Sequence, residues 1–275
     1  MSLPAHFINL DRVPQRADFM QAQCAIAGFD RVHRFPAVDA ASAPISRRYR
    51  PGRWGAYWSL LPSEVAVFES HRALWQRVRD DGAPAVLMED DVLLSAEAGA
   101  VCSTLAPHAD RYHMIKLDAP GDPLRLGPEV PMAGMSLRPL TGVIPSAAAY
   151  ILTPEGAEIL LRRSERYCDH LDDFLTRPHP GYRAFQLSPI VAMQGMFSDL
   201  SGRPEIPASI AGSERTAPAP KARADKGPVP YRLAKEIRRS LRRLSRRLHG
   251  DRALLARGGF IGTVPRSPDL PPYCK

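Results

Sequence analysis

The sequence predicts an α/β fold with a mostly parallel central sheet, and three observations predict it. Its first forty residues read as strand, helix, strand. Later short apolar runs stop abruptly at polar or acidic residues, as buried strands do at a sheet edge. Apolar residues make up 44% of 275 positions, enough for one sizeable core. Aromatic residues are only 7%, so aliphatic side chains fill most of that core.

The elements follow in order. His6-Phe7-Ile8-Asn9-Leu10 is a short apolar run that ends at Asp11-Arg12 and a proline, which reads as a buried strand and a loop. Gln15 to Ala27 has helical spacing of Phe19, Met20, Cys24 and Ile26, with Gly28 as C-cap. Val32 to Val38 is the second strand. Residues 40–62 are irregular and rich in Pro, Gly and Arg. A helix with Ser63 as N-cap then carries Val67, Phe68, His71, Leu74 and Trp75 to about Arg79, and Asp81-Gly82 stops it. Ala85 to Met88 is a strand running straight into Glu89-Asp90-Asp91. Tyr112 to Leu117 and Ala147 to Leu152 are further strands, and Pro154 opens a helix at its first position. Tyr182 to Leu187 closes a body spanning residues 1–200.

Beyond the body the composition changes. Residues 201–230 are dominated by prolines and small residues and read as a linker or an irregular wrap. Within 231–257, Leu233, Ile237, Leu241, Leu244 and Leu248 form one helical stripe, and Arg238, Arg239, Arg242, Arg243, Arg246 and Arg247 occupy other faces. Residues 258–275 read as an irregular tail. The formal charge of +8 belongs to this region: Arg215 to Arg257 holds fourteen Lys/Arg against three Asp/Glu, a net of +11, so the rest carries −3. A mildly acidic body does not suit nucleic acid, and none is expected as a partner.

Cys24, Cys102, Cys168 and Cys274 form no CxxC pair and stand near no metal-spaced histidines. Scattered thiols fit a reducing, cytoplasmic setting. No basic segment followed by a long apolar run opens the chain, so no signal peptide is expected. No stretch approaches the ~18–20 apolar residues of a membrane span.

Glu89-Asp90-Asp91 carries the chemistry. On an extended chain residues i and i+2 face one side, so Glu89 and Asp91 project together and Asp90 points elsewhere. Two carboxylates at the end of a parallel strand make a hard-oxygen site for Mn²⁺ or Mg²⁺, where open α/β sheets bind ligands. A divalent cation there can neutralise charge on a leaving nucleoside diphosphate. A solvated acidic turn is the competing reading of the triplet alone.

Several separated segments together resemble one family. These are Phe7-Ile8-Asn9-Leu10 with Arg12, Pro14 and Arg16; Ala37-Val38-Asp39; and Leu61-Pro62-Ser63-Glu64 with Ser70-His71 and Leu74-Trp75. They continue with Leu87-Met88-Glu89-Asp90-Asp91-Val92; Lys116-Leu117; Tyr150-Ile151-Leu152-Thr153 with Gly156-Ala157; Leu171-Asp172; and Ser188-Pro189 with Gln194. In order and spacing, over roughly residues 5–215, the chain resembles the family 25 glycosyltransferases of lipopolysaccharide biosynthesis. The resemblance implies a GT-A-like nucleotide-sugar-binding fold, a UDP-sugar donor with galactose the usual sugar, a divalent metal, and a lipopolysaccharide-type glycan or glycolipid acceptor. Two departures stand near expected substrate surfaces. Ser146-Ala147-Ala148-Ala149 replaces a glycine–threonine-like pair, and Phe68-Glu69 replaces small residues.

The same resemblance suggests roles. Asp91 is the principal metal ligand, Glu89 is shared between metal and ribose, and Asp90 positions the loop. Asn9, Arg12 and Arg16 follow the first strand, where the family binds the nucleotide. Arginine there can pair with phosphate, or form a surface salt bridge. Asp39 can accept from a ribose hydroxyl or a base N–H, or cap a turn. His71 can contact the donor or hold an acidic-loop residue, or be a satisfied core histidine. The family is understood to invert, which requires a base for the acceptor hydroxyl. Asp172 matches the family position for it, with His170 and Asp118 in reserve. A helix N-terminal aspartate is the alternative reading of Asp172.

The basic helix at 231–257 fits an anionic membrane surface at the inner face of the cell membrane, or a helix packed on the body with a solvated basic face. Other readings of the whole are a different metal-dependent nucleotide-processing enzyme, or a non-catalytic scaffold that binds membrane through the tail.

Overall fold

The computed structural model describes residues 2–52, 55–200, 224–245 and 250–274. Its main sheet has eight strands in the order β2-β1-β3-β9-β5-β10-β8-β7. These are β1 (Ala5–Asn9), β2 (Val32–Pro36), β3 (Ala85–Glu89), β5 (Met114–Lys116), β7 (Val130–Met132), β8 (Met135–Pro139), β9 (Ala149–Leu152) and β10 (Ala184–Ser188). β4 (Val92–Leu94) pairs with β11 (Ala192–Gln194), and β6 (Leu124–Leu126) with β12 (Phe260–Gly262).

The class is α/β, as expected, and the sheet is mixed. β1 lies parallel between β2 and β3, and β10 runs parallel to β5. β9 enters antiparallel between β3 and β5, and β8 and β7 continue antiparallel at the far edge. Strand apolarity reports burial and not direction, which is why β9 looked no different from its parallel neighbours.

Successive strand residues feed two separate cores, as a period of two requires. Ile8, Ala85, Leu87, Met114, Tyr150 and Leu152 face one side. There they meet α2 (Pro62–Asp81), α4 (Pro154–Arg163) and α5 (Leu171–Thr176) through residues such as Trp75, Leu160 and Phe174. Phe7, Val86, Met88, Ile115 and Ile151 face the other side, toward Met20 and Cys24 of α1 (Pro14–Ile26) and Cys102 and Leu105 of α3 (Ala98–Leu105). The result is a helix–sheet–helix sandwich with both faces covered.

Local signals were mostly read correctly at helix ends. Gly28 (φ 73°) and Gly82 (φ 65°) turn the chain out of α1 and α2 in the left-handed region. Ser63 does not cap α2, however. The helix starts one residue earlier at Pro62, and the Glu64 carboxylate accepts the Leu61 N–H at 2.6 Å. A proline at the first position forces the cap back onto leucine, and the acid three residues on takes over its job.

The C-terminal part differs from the reading of an irregular tail over 258–275. β12 pairs with β6, Ile190 bridges to Arg266, and Val264 and Leu270 are buried in the first core. Among the described residues, the helical segment read at 231–257 contains α6 (Val229–Ser245) and α7 (Asp251–Ala256). Leu248, Arg246 and Arg247 of the expected stripe and basic faces, and 201–223 of the Pro-rich segment, lie outside the described residues. Among the described residues no helix is long and apolar enough to cross a membrane. Cys24, Cys102 and Cys168 are buried, Cys274 is exposed, and all four are free.

Candidate active site

The acidic triplet occupies the tight turn between β3 and β4. Glu89 is the last residue of β3, with its N–H donated to Ala148 O at 2.8 Å. Glu89 and Asp91 do project to one side. Their carboxylates share the amide of Gln194, whose Nε2 donates to Glu89 Oε2 at 3.0 Å and lies 3.3 Å from Asp91 Oδ2. Gln194 is there because β11 pairs antiparallel with β4, setting it opposite Val92.

Asp90 points the other way, into the interior. Its Oδ2 accepts from Asn9 Nδ2 at 2.7 Å and its Oδ1 pairs with Arg16 Nη1 at 3.0 Å. Arg16 rises from the first turn of α1 beneath the acidic turn, and its Nη2 also reaches Asp91 Oδ2 at 3.4 Å. At 4% exposure this guanidinium is a buried countercharge for the turn. Asn9 is equally committed within the chain. Its amide donates to Val13 O and Asp90, and its oxygen accepts from Arg34 Nε at 2.8 Å.

Outside this knot lies an exposed polar rim. Arg12 Nε pairs with Asp39 Oδ2 at 2.9 Å, and Arg34 pairs with Asp11. Asp39 also accepts the Ala41 N–H, and these bonds, the backbone one first, hold its carboxyl below the usual range. Asp39 thus caps a turn and pairs with Arg12 across the ends of β1 and β2.

His71 stands behind Glu89. It is completely buried, and burial holds its pKa down to about 3, so the ring is neutral. Tyr150 Oη lies 2.8 Å from His71 Nδ1 and accepts from Trp75 Nε1 at 2.8 Å. The phenol hydrogen is free to donate to Nδ1, and in that tautomer the imidazole hydrogen sits on Nε2. Nε2 has no hydrogen-bond partner and lies 3.8 Å from Glu89 Oε1.

On the opposite side, Asp172 stands in the first turn of α5, and its Oδ2 accepts the Ser146 N–H at 2.8 Å. Ser146 holds φ 92°, a conformation rare for a residue with a Cβ, and its hydroxyl donates to Asp118. Asp118 is fully buried and ion-paired with fully buried Lys116. The substituted segment at Ser146 is therefore part of the site. Phe68-Glu69, the other departure, is not on a substrate surface: Phe68 is fully buried and stacked on Tyr167 at 3.7 Å, and Glu69 accepts the Tyr167 hydroxyl at 3.0 Å. His170 sits farther out, its ring edge-on to Tyr57 at 4.1 Å.

The electrostatics join these parts. Burial raises the pKa of Glu89 well above the carboxylate range, and the charges of Asp91, Asp172, Asp90 and Asp118 add to it. Asp91 is pushed up to about 6 by burial, against the pull of Arg16. Burial also raises Asp172. Acids held close together with raised pKa values favour a cation among them. Among the described residues, no three of His, Cys, Asp and Glu form a ready metal-binding group. Glu89 and Asp91, flanked by the Gln194 amide, fit instead the sparse sites of Mg²⁺-type ions, where one or two carboxylates are completed by water and a substrate's phosphates. The half-buried members, Glu89 and Gln194, mark the side on which such a site would open.

The sequence pointed to Gln194 and Lys116 only within motifs, to Ser146 as a departure near substrate and to Asp118 as a reserve base; it did not point to Arg34 or to the Lys116–Asp118 ion pair. Lys116-x-Asp118 at the end of an apolar strand was the available signal, since a buried lysine needs a partner.

Residues 2–120 match the family model described as Glycosyltransferase family 25 (LPS biosynthesis protein). The matched segment carries β1 through β5, and with them Asn9, Arg16, His71 and the whole acidic turn. No curated protein matches the chain.

Proposed function

We propose that the chain, whose residues 2–120 match the family model of glycosyltransferase family 25, moves a hexose, with galactose the expected sugar, from a UDP-sugar to a lipopolysaccharide-type glycan, with inversion, on a GT-A-like scaffold. One observation supports this most: Glu89 and Asp91 converge on Gln194 at the end of a central strand, where burial and neighbouring charge raise the pKa of both. A Mn²⁺ or Mg²⁺ ion held there would supply Lewis acidity toward the diphosphate of the donor.

The chain's own residues would do the rest. Arg16 and Asn9 fix the acidic turn from below through Asp90. His71 Nε2 faces the Glu89 carboxylate at 3.8 Å, and with its hydrogen on that nitrogen it would orient the carboxylate once donor binding closes the gap. Inversion needs a base on the face opposite the leaving group. Asp172 is that base: the Ser146 N–H holds Oδ2, Oδ1 takes the acceptor hydroxyl's proton, and burial makes the carboxylate more basic than usual. The oxygen so freed attacks the anomeric carbon as the bond to the UDP oxygen breaks, and the electron pair leaves with UDP. Arg12 and Asp39, at the rim, are the candidate contacts for the nucleotide, at the cost of their own ion pair.

The test is transfer from a panel of UDP-sugars to lipooligosaccharide acceptors with Mn²⁺, beside the Asp91→Asn variant. Transfer with UDP-galactose that Asp91→Asn abolishes is expected. Equal activity of the two proteins, or none with any UDP-sugar, overturns the reading.

A further inference from the structure

The helix α6 is amphipathic; the start of its apolar stripe, Val229 and Leu233, borders a cleft against Trp58 and Leu61, and the stripe runs on through exposed Ile237, Leu241 and Leu244. Tyr231 Oη donates to Ala56 O at 3.3 Å and its ring packs on Trp58 at 5.0 Å. Lys235, one turn on, donates to the same Ala56 O at 3.1 Å and lies over the Tyr57 ring at 4.6 Å. These two residues define the side that meets the body. Leu233 and Ile237 each lie two residues beyond one of them, about 200° around a helix of 3.6 residues per turn. Leu241 and Leu244 continue the same stripe. All four stand at 51–61% exposure, with Val229 at 70%. Large apolar side chains repeated along one exposed stripe of a helix are not the scatter normal on a protein surface.

The rest of the helix is basic. Val229 to Ser245 contains six Lys/Arg and one acid, Glu236. Arg238 and Arg239 are exposed, and Arg239 lies 3.7 Å from Glu236. An apolar stripe flanked by arginines suits an interface that is apolar below and anionic above. A second copy of the helix laid on the stripe would bring like charges together. Nucleic acid would satisfy the arginines and leave the leucines in water.

We infer that α6 docks the enzyme flat on an anionic lipid bilayer, with Leu233, Ile237, Leu241 and Leu244 in the acyl boundary and the arginines at headgroup phosphates. The inference goes beyond glycosyl transfer and stands without it. The body-facing side of α6 also ties the docked surface to the site, because Tyr57, under Lys235, donates its hydroxyl to Asp173 at 3.0 Å, next to Asp172.

The test is co-sedimentation of the full chain with vesicles of phosphatidylglycerol and phosphatidylcholine, and with phosphatidylcholine alone. At least tenfold tighter binding to the anionic vesicles is expected. Leu233→Ser/Ile237→Ser/Leu241→Ser should lose at least tenfold of that binding with no change in melting temperature, since the three side chains are exposed. Arg238→Gln/Arg239→Gln should weaken it and lower its salt dependence. Equal binding to both vesicles, no binding to either, or full binding by the triple-serine variant overturns the inference. So does wild-type protein that dimerises through the stripe, or vesicle binding that RNA displaces from wild type and triple variant alike. Transfer to a water-soluble acceptor reads the catalytic proposal separately, so either can fail alone.

Discussion

His71 Nε2 and Glu89 Oε1 face each other at 3.8 Å across a buried boundary, and the imidazole nitrogen has no hydrogen-bond partner. An unsatisfied buried donor costs about 1–3 kcal/mol, so this pair is held apart at the expense of stability. Closing that gap when donor binds would recover the cost where catalysis needs it. His71→Gln, which keeps an N–H but loses the Tyr150-held geometry, should reduce kcat by roughly 10- to 100-fold, the scale of a misplaced positioning group. KM for donor should change little. Steady-state kinetics with varied donor would show the split, and an unchanged kcat would make His71 a core residue only.

Asp91→Asn should abolish transfer and leave the melting temperature of metal-free protein the same or higher. The substitution removes one negative charge from a crowded acidic group, and sites built for function are often stabilised by such changes. A loss of stability equal to that of a core mutation would contradict the placement. Thermal melts in chelator, beside activity with Mn²⁺, measure both.

Arg16→Met removes the buried countercharge of Asp90 and Asp91. Breaking a buried pair from one side costs about 3–5 kcal/mol. Adding Asp90→Asn should restore part of that loss, because Asn still accepts from Asn9. Denaturant unfolding of the single and double variants closes the cycle. Additive losses would mean that the two residues do not interact.

Asp172→Asn should lower kcat by about 10²–10⁴-fold, the usual range for a general base, with donor hydrolysis and donor affinity less affected. Loss of donor affinity in step with kcat would assign Asp172 to donor binding instead.

His6 gives a pH prediction away from the site. Burial first, then the neighbouring His33 charge, lowers its pKa from 6.5 to about 4. The folded state thus binds its proton more weakly than the unfolded state. Its contribution is fully present above pH 6.5 and is lost as pH falls from there toward 4. His6→Gln should flatten the acid limb of a plot of melting temperature against pH in that window. An identical limb would show that His6 is protonated alike in both states.

Much of the fold was legible in the sequence because apolar runs and caps act locally. The first strands, α2, α4 and the acidic turn could all be placed from spacing and turn residues. The strands β4, β6, β11 and β12 could not, since each owes its existence to a partner far along the chain, and the hairpin of β7 and β8 could not, since Pro131, Ser136 and Arg138 break its apolar pattern. The pairing of Glu89 with Asp91 followed from a two-residue period. The positions of Gln194, Ser146 and Arg34 depend on strand pairing and on a loop with positive φ, and no local pattern encodes either.

The pairing of β12 with β6 closes a circuit around α6. The helix is pinned to the body at Tyr231 and Lys235, and the chain is pinned again at Phe260, within thirty residues of Tyr231. If the helix docks on lipid as inferred, these two attachments would make it a keel, so that only acceptors whose sugars stand at the matching height above the surface would be within reach.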